Sequence, residues 1–232
     1  MDFNKSLLKE AKSLNNVSLS IIGRSVMGKE LFLIRKGEGK RRIFLSAAHH
    51  ANEWITALVL MKFLKDSENS EELSRLLQYN ELFVLPLANP DGAALVRGEL
   101  NSGDYYKNAK RISGNFPEIP FPEGWKANIS GYDLNLAYPA GFEKAKIIKG
   151  EKGFDKPAPR DYPGKTPVSQ PESLAVYKLV YENDFDMLLT FHTQGRVIYH
   201  KYGNKNPKGS VALAEKMEKA SGYKFEKTPW ES

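Results

Sequence analysis

The chain has 232 residues, 41% hydrophobic and 27% charged, which suits one large soluble domain with its own core; it has no cysteine, which excludes a disulfide framework and a thiolate-held metal. Its 34 basic and 28 acidic residues leave a net charge of +6, which favours anionic partners, yet no zinc finger, RNP-like aromatic strand or basic heptad helix accompanies the charge, so nucleic-acid binding is not expected. No apolar run approaches the roughly 20 residues of a membrane span.

The N-terminus is amphipathic, with Phe3, Leu7, Ala11 and Leu14 on one helical face, and lacks the apolar stretch of a secretory signal, so the expected location is the cytoplasm. Val17–Ile22 and Leu31–Ile34 read as strands of a hairpin around Gly28-Lys29. Arg42–Ala47 reads as a buried strand, followed by two histidines and a helix from about Glu53 to Lys65 with Ile55, Leu58, Val59, Met61 and Leu64 as its apolar positions. A short helix over Glu71–Leu77 precedes a strand, Glu81–Leu87, which ends in the turn-like Asn89-Pro90-Asp91-Gly92. Between Gly98 and Val168 periodicity is weak, and a loop that long inside a compact domain is more often functional than idle. Ser169 and Glu172 fit a capping box opening a helix with Leu174, Tyr177, Leu179 and Val180. Asp186–Phe191 and Val197–Tyr199 read as strands and Lys208–Ser221 as a helix. Strands alternating with helices, plus a hairpin, predict an α/β fold: a single domain over residues 1–232 with a central mixed sheet flanked by helices.

The chemistry concentrates in His49-His50-Ala51-Asn52-Glu53 and Phe191-His192-Thr193. A histidine and a carboxylate three residues apart, where a strand hands over to a helix, can present a nitrogen and an oxygen to one point. A third ligand from another strand end completes a site of two His and one Glu with one position open to water, as catalytic zinc is held. Both segments follow strands, where α/β sheets place ligand sites. His49 competes with its neighbour His50, since adjacent side chains project differently. His200, eight residues past His192, is placed at the far end of a hairpin.

Several segments resemble the zinc carboxypeptidase superfamily in its own order: SAAHHANEW, containing the H-x-x-E zinc motif, with IIGRSVMGKELFLIRKG before it and LPLANPDG, GYDLNLAYPAGFE, YPGKTPVSQPES and FHTQG after it. The nearest flavour is the bacterial branch that cuts γ-D-glutamyl-diamino acid bonds in peptidoglycan peptides. The resemblance implies one zinc ion held by His50, Glu53 and His192, with His49 in a supporting role, and a peptide substrate, a muropeptide in that branch. It implies a basic residue beside a tryptophan as oxyanion stabiliser: here Lys126, after Trp125, with Arg111 as the alternative.

Two departures bear on specificity. Where exopeptidases of the family carry an Asn-Arg pair for the terminal carboxylate, this chain has Asn135-Leu136, and an arginine within the zinc motif is replaced by Asn52. Asn135, Asn52 and Arg111 are therefore the expected substrate contacts, and the diamino-acid branch fits better than an ordinary carboxypeptidase. The family's general-base glutamate lies several tens of residues past the third ligand, whereas 40 residues follow His192; Glu226 and Glu231 come too early, so the fold is expected to be C-terminally incomplete, without its last strands and helix. A non-catalytic zinc- or peptide-binding remnant is the competing reading, and a zinc deacylase of N-acyl amino acids a weaker one.

Overall fold

The computed structural model of the chain describes residues 2–203, 205 and 207–228, in two compact units, Met1–His192 and Thr193–Ser232. The first is built on a five-stranded sheet: β1 (Val17–Arg24), β2 (Glu30–Lys36), β3 (Arg41–Ala47), β4 (Asn80–Leu85) and β5 (Met187–Phe191), in spatial order β1-β2-β4-β3-β5. β1 and β2 form the expected hairpin, β2 runs antiparallel to β4, and β4, β3 and β5 are parallel, so the sheet is mixed. Its helices are α1 (Phe3–Ala11), α2 (Ile55–Asp66), α3 (Glu71–Tyr79), α4 (Pro90–Val96), α5 (Gly103–Ser113), α6 (Phe142–Glu151) and α7 (Pro171–Glu182).

Alternate strand side chains point to opposite faces. Phe32 and Ile34 of β2 therefore pack with Leu45, Leu82 and Val84 against α1 and α2, while Leu31 and Leu33 pack with Phe44, Phe83 and Leu85 against α7. Burial on both faces explains why β2 reads as an unbroken apolar run. Phe3, Leu7, Ala11 and Leu14 are buried as their spacing predicts, although α1 ends at Ala11. The Arg97 guanidinium lies 4.1 Å from the Phe3 ring centre and 4.4 Å from that of Trp54, tying α1 to the residue that opens α2.

Tertiary contacts overrode several local readings. α2 starts at Ile55, and its buried stripe is Ala57, Leu60, Met61 and Leu64; Ile55, Leu58 and Val59 are exposed. Asn89-Pro90-Asp91-Gly92 is the start of α4, with Asn89 Oδ1 accepting from the Gly92 amide and Pro90 in the first turn, where its missing N–H costs nothing. The stretch from Gly98 to Val168 contains α5, α6 and a 3-10 turn over Leu134–Leu136. The capping box at Ser169 does not form. Gln170 is the N-cap, and the buried Glu172 accepts from the Val26 amide at 3.1 Å and Asn128 Nδ2 at 3.2 Å. Of the apolar positions read for α7, Leu179 and Val180 pack against the core that buries Ala175 and Val176, whereas Leu174 is exposed.

Burial pushes the Glu172 carboxyl up to about 7 and raises Asp91 as well. Folded protein then keeps a proton that the unfolded chain has released above the ordinary value of 4.5. Stability is therefore expected to fall as pH rises from about 4.5 to about 7, then to level off. Glu172→Gln, which cannot ionise, should show a smaller drop in Tm between about pH 5 and pH 8. Thermal melts of both proteins across that range check this, and equal drops would remove Glu172 as the source.

The second unit comprises β6 (Val197–Tyr199), α8 (Ser210–Ser221) and β7 (Lys224–Glu226). β6 pairs in parallel with β7, across α8, rather than in a hairpin. His200 Nδ1 lies 2.9 Å from the Glu226 carbonyl oxygen, a local partner that accounts for this histidine. Glu226 belongs to β7, and Glu231 lies outside the described residues.

Candidate metal centre

β3 and β5 are neighbours in parallel, with Ala47 opposite Phe191, so both chains leave the sheet at the same edge. His192 is the first residue past β5. Beyond β3 the chain turns at Ala48, whose φ of +52° is unusual for a residue with a side chain. The Ala48 amide donates to Thr56 Oγ1 at 3.0 Å, and Thr56 donates on to the Glu53 carbonyl at 2.7 Å, bracing the loop against α2. A 3-10 turn over Ala51–Glu53, closed by the Glu53 amide on the His50 carbonyl at 3.1 Å, swings Glu53 to the same side as His50.

His50 Nδ1 lies 3.1 Å from Glu53 Oε1, His192 Nδ1 lies 2.8 Å from Glu53 Oε2, and the two Nδ1 atoms are 3.2 Å apart. One ligand atom from each residue falls within 4.8 Å of the others. A tetrahedral zinc with bonds of about 2.1 Å holds its ligand atoms about 3.4 Å apart, so the three side chains fit one ion. Three protein ligands leave the fourth position open.

Asp133, which the sequence reading passed over, completes the arrangement. Its Oδ1 is 3.3 Å from His50 Nε2, on the side of the ring away from Glu53. A proton on Nε2 then points at Asp133 and leaves the Nδ1 lone pair for a metal. Asp133 is itself held by the Asn135 amide on Oδ1 at 3.1 Å and the Asp161 amide on Oδ2 at 2.9 Å. Burial alone would lower the His50 pKa, but the Asp133 and Glu53 carboxylates outweigh it and raise it to about 9. Burial likewise opposes ionisation of Glu53 and Asp133, yet the adjoining imidazoles hold both well below the usual carboxylate range. Asp133 lies in GYDLNLAYPAGFE, one of the segments that carry the resemblance, but nothing in its local spacing marks it as a partner of His50.

His49 is buried but faces elsewhere. Its Nε2 meets the Tyr138 hydroxyl at 3.1 Å, and burial, reinforced by the charges of His192 and His50, pushes its pKa down to about 3. The two adjacent histidines thus take different directions.

Lys126 lies between the buried Trp125 and Ala127, and its Nζ reaches 3.5 Å from Glu53 Oε1, at the edge of the triad. Its amide and that of Ala127 both donate to the Pro159 carbonyl. Asn52 sits inside the Ala51–Glu53 turn, its amide 3.4 Å from the Glu123 carbonyl. Asn135 lies two residues beyond Asp133 in the 3-10 turn that Asp133 caps. Arg111 is exposed on α5 and donates to Asn108 Oδ1, one turn back; among the described residues no contact ties it to the triad. Among the described residues no helix is long and apolar enough to cross a membrane.

The profile of the zinc carboxypeptidase family matches residues 6–228. The gamma-D-glutamyl-L-diamino acid endopeptidase 1 of Lysinibacillus sphaericus is 39% identical over 211 residues, covering 87% of this chain and 52% of that protein. Carboxypeptidase A1 of Bos taurus is 23% identical over 210 residues, 87% of this chain and 45% of that one. The chain spans about half the length of the curated relatives it matches. Bovine thrombin-activatable fibrinolysis inhibitor, in a complex with tick carboxypeptidase inhibitor, shares the fold at a TM-score of 0.66 and 18% identity, over 97% of this chain and 73% of that one. The family's metal is zinc, and His50, Glu53 and His192 form a site that could bind it. With this sheet, this donor set and a match along nearly its whole length, the chain belongs to the zinc carboxypeptidase family.

Proposed function

We propose that the protein is a zinc-dependent peptidase that hydrolyses the amide bond between γ-D-glutamate and a diamino acid in peptidoglycan-derived peptides. The observation that carries this reading is the convergence of His50, Glu53 and His192 on one point, in a chain 39% identical to a gamma-D-glutamyl-L-diamino acid endopeptidase. Zinc, when bound, supplies Lewis acidity, polarising a carbonyl oxygen and lowering the pKa of water.

The chain's own side chains supply the rest. Asp133 fixes the His50 tautomer and orientation. Lys126 offers a positive charge beside the triad, where the oxygen of a scissile carbonyl would gain negative charge. Lysine provides a point charge without the planar fork of arginine, so it stabilises by proximity rather than by bidentate geometry. Asn52 and Asn135 offer neutral amide groups near the site, and Leu136 beside Asn135 cannot grip a terminal carboxylate by a salt bridge. Arg111 and the net charge of +6 attract a carboxylate-rich muropeptide at longer range. We assign no general base, because Glu53 is committed to the ligand set.

The zinc-loaded protein is expected to release diaminopimelate from L-Ala-γ-D-Glu-diaminopimelate and to bind that tripeptide at least about tenfold more tightly than a peptide ending in a free hydrophobic residue, a margin of one well-placed polar contact. Chromatography of the products and calorimetric titration measure both. The reverse preference would overturn the substrate class, and tight binding without product would make the chain a zinc and peptide binder rather than an enzyme.

A further inference from the structure

We propose that Asn89 is a positioning residue that sets the spacing between the metal-ligand loop and the loop carrying Lys126. Its functional consequence rests on the reading of Lys126 above. Asn89 is completely buried, at 0% exposure. Its Nδ2 donates to the His49 carbonyl at 3.1 Å and to the Ala127 carbonyl at 3.0 Å, with a longer approach of 3.4 Å to the Lys126 carbonyl. An amide nitrogen has two hydrogens, so both are spent on carbonyls from two segments remote in sequence. One of these carbonyls immediately precedes the ligand His50, and the other immediately follows Lys126.

The same seam is closed by the Ala51 amide, which donates to the Lys126 carbonyl at 2.9 Å. It is also unusually tight. A Cβ on Gly92 would lie 2.7 Å from the Ala127 carbonyl oxygen, from Ala51 Cβ and from Asn89 Oδ1. Any larger residue there would push the two loops apart. From the other side, Pro159 holds the amides of Lys126 and Ala127 at 2.8 and 2.9 Å. The Lys126 backbone is thus clamped between Pro159 and the Asn89–Ala51 seam, and the seam is what references it to His50 and Glu53.

Helix capping alone does not explain an asparagine here. The cap on α4 uses only Oδ1, accepting from the Gly92 amide at 3.1 Å, and serine or aspartate would cap as well. The two N–H groups serve the loops. Reactive groups must be held to within a fraction of an ångström, so loosening this seam would move Lys126 Nζ relative to Glu53 without removing any ligand.

Asn89→Ser and Asn89→Asp, made in the full chain, keep an oxygen for the cap and lose both amide N–H groups. Serine is small and uncharged and decides the matter if the buried aspartate prevents folding. Hydrogen exchange at the Ala51 amide should accelerate about tenfold or more, the equivalent of one lost buried hydrogen bond, while amides of β3 and β4 keep their rates. Zinc affinity should stay within about threefold, since the three ligands are untouched. Affinity of the zinc-loaded protein for inorganic phosphate, a probe of the oxyanion position, should fall about tenfold, as it should in Lys126→Ala, with no further loss when the two changes are combined. Unchanged Ala51 exchange in folded Asn89→Ser would overturn the proposal, as would phosphate losses that multiply in the double variant. If Lys126→Ala leaves phosphate affinity unchanged, the reading of Lys126 falls instead, and exchange at Ala51 alone then decides the role of Asn89.

Discussion

Replacing any one of His50, Glu53 or His192 with alanine should abolish stoichiometric zinc binding at micromolar concentrations, while His49→Ala should leave it intact. Apparent binding energies of about 10–16 kcal/mol for four-ligand zinc sites amount to about 2.5–4 kcal/mol per ligand, so each loss should weaken zinc about 10²- to 10³-fold. His49 is spared because its Nε2 faces Tyr138 rather than the triad. Metal analysis after dialysis, with competition against a chromophoric chelator, measures all four variants. Retained zinc in His192→Ala would dismantle the proposed ligand set.

Metal uptake should also release a proton at pH 7. The carboxylates of Asp133 and Glu53 raise His50 to about 9 in the metal-free arrangement, so the imidazole is protonated at neutral pH, and it must become neutral to bind a cation. Zinc affinity is therefore expected to rise with pH until about 9. Calorimetry in buffers of different ionisation enthalpy counts the proton, and a buffer-independent heat would contradict it.

The second large effect is expected at Asp133. Removing a carboxylate that orients a metal-bound histidine typically costs about 10- to 100-fold in metal affinity. Here the same carboxylate also accepts the Asn135 and Asp161 amides, and Asp133 is only 3% exposed. Asp133→Ala would leave those amides buried without acceptors, at about 1–3 kcal/mol each. Asp133→Asn is the sharper test: one oxygen can still meet His50, but the NH₂ then faces the Asp161 amide, donor against donor. Both variants should lose zinc affinity by about 10- to 100-fold and also melt earlier. Zinc titration and thermal melts with and without saturating metal separate the effects, and an unchanged zinc affinity in Asp133→Asn would show that His50 needs no such partner.

The readable half of the centre was encoded locally. His50 and Glu53 are three residues apart after an apolar strand, and His192 directly follows another; strand ends on an α/β sheet are where such groups meet. The supporting half lies in segments that carry the resemblance, but its local pattern does not mark its role. Asp133 lies in a stretch without periodicity, and its partner His50 is remote in the chain. Asn89 carries the composition of a turn, yet its amide joins two loops while its oxygen caps a helix. Glu172 satisfies the pattern of a capping box, but the helix starts one residue later, with Gln170 as N-cap, and the buried carboxylate takes the Val26 amide and the Asn128 side chain, remote in the chain, as partners. On α2, apolar residues lie all round the helix, so periodicity alone could not choose Ala57, Leu60, Met61 and Leu64 as the buried stripe.

Short-range chemistry sufficed for the strands with their apolar faces and for the pairing of His50 with Glu53 as candidate ligands, because strand alternation and i, i+3 spacing are properties of adjacent residues; the preference for His50 over His49, and His192 as the third candidate, rested on the resemblance to the zinc carboxypeptidase family. Folding alone established which nitrogens of His50 and His192 face Glu53, how far Lys126 stands from Glu53 and which carboxyls, those of Glu172 and Asp91, burial pushes upward. Those depend on hydrogen bonds and charges between segments far apart in the chain, brought within 3–4 Å only by the packed sheet.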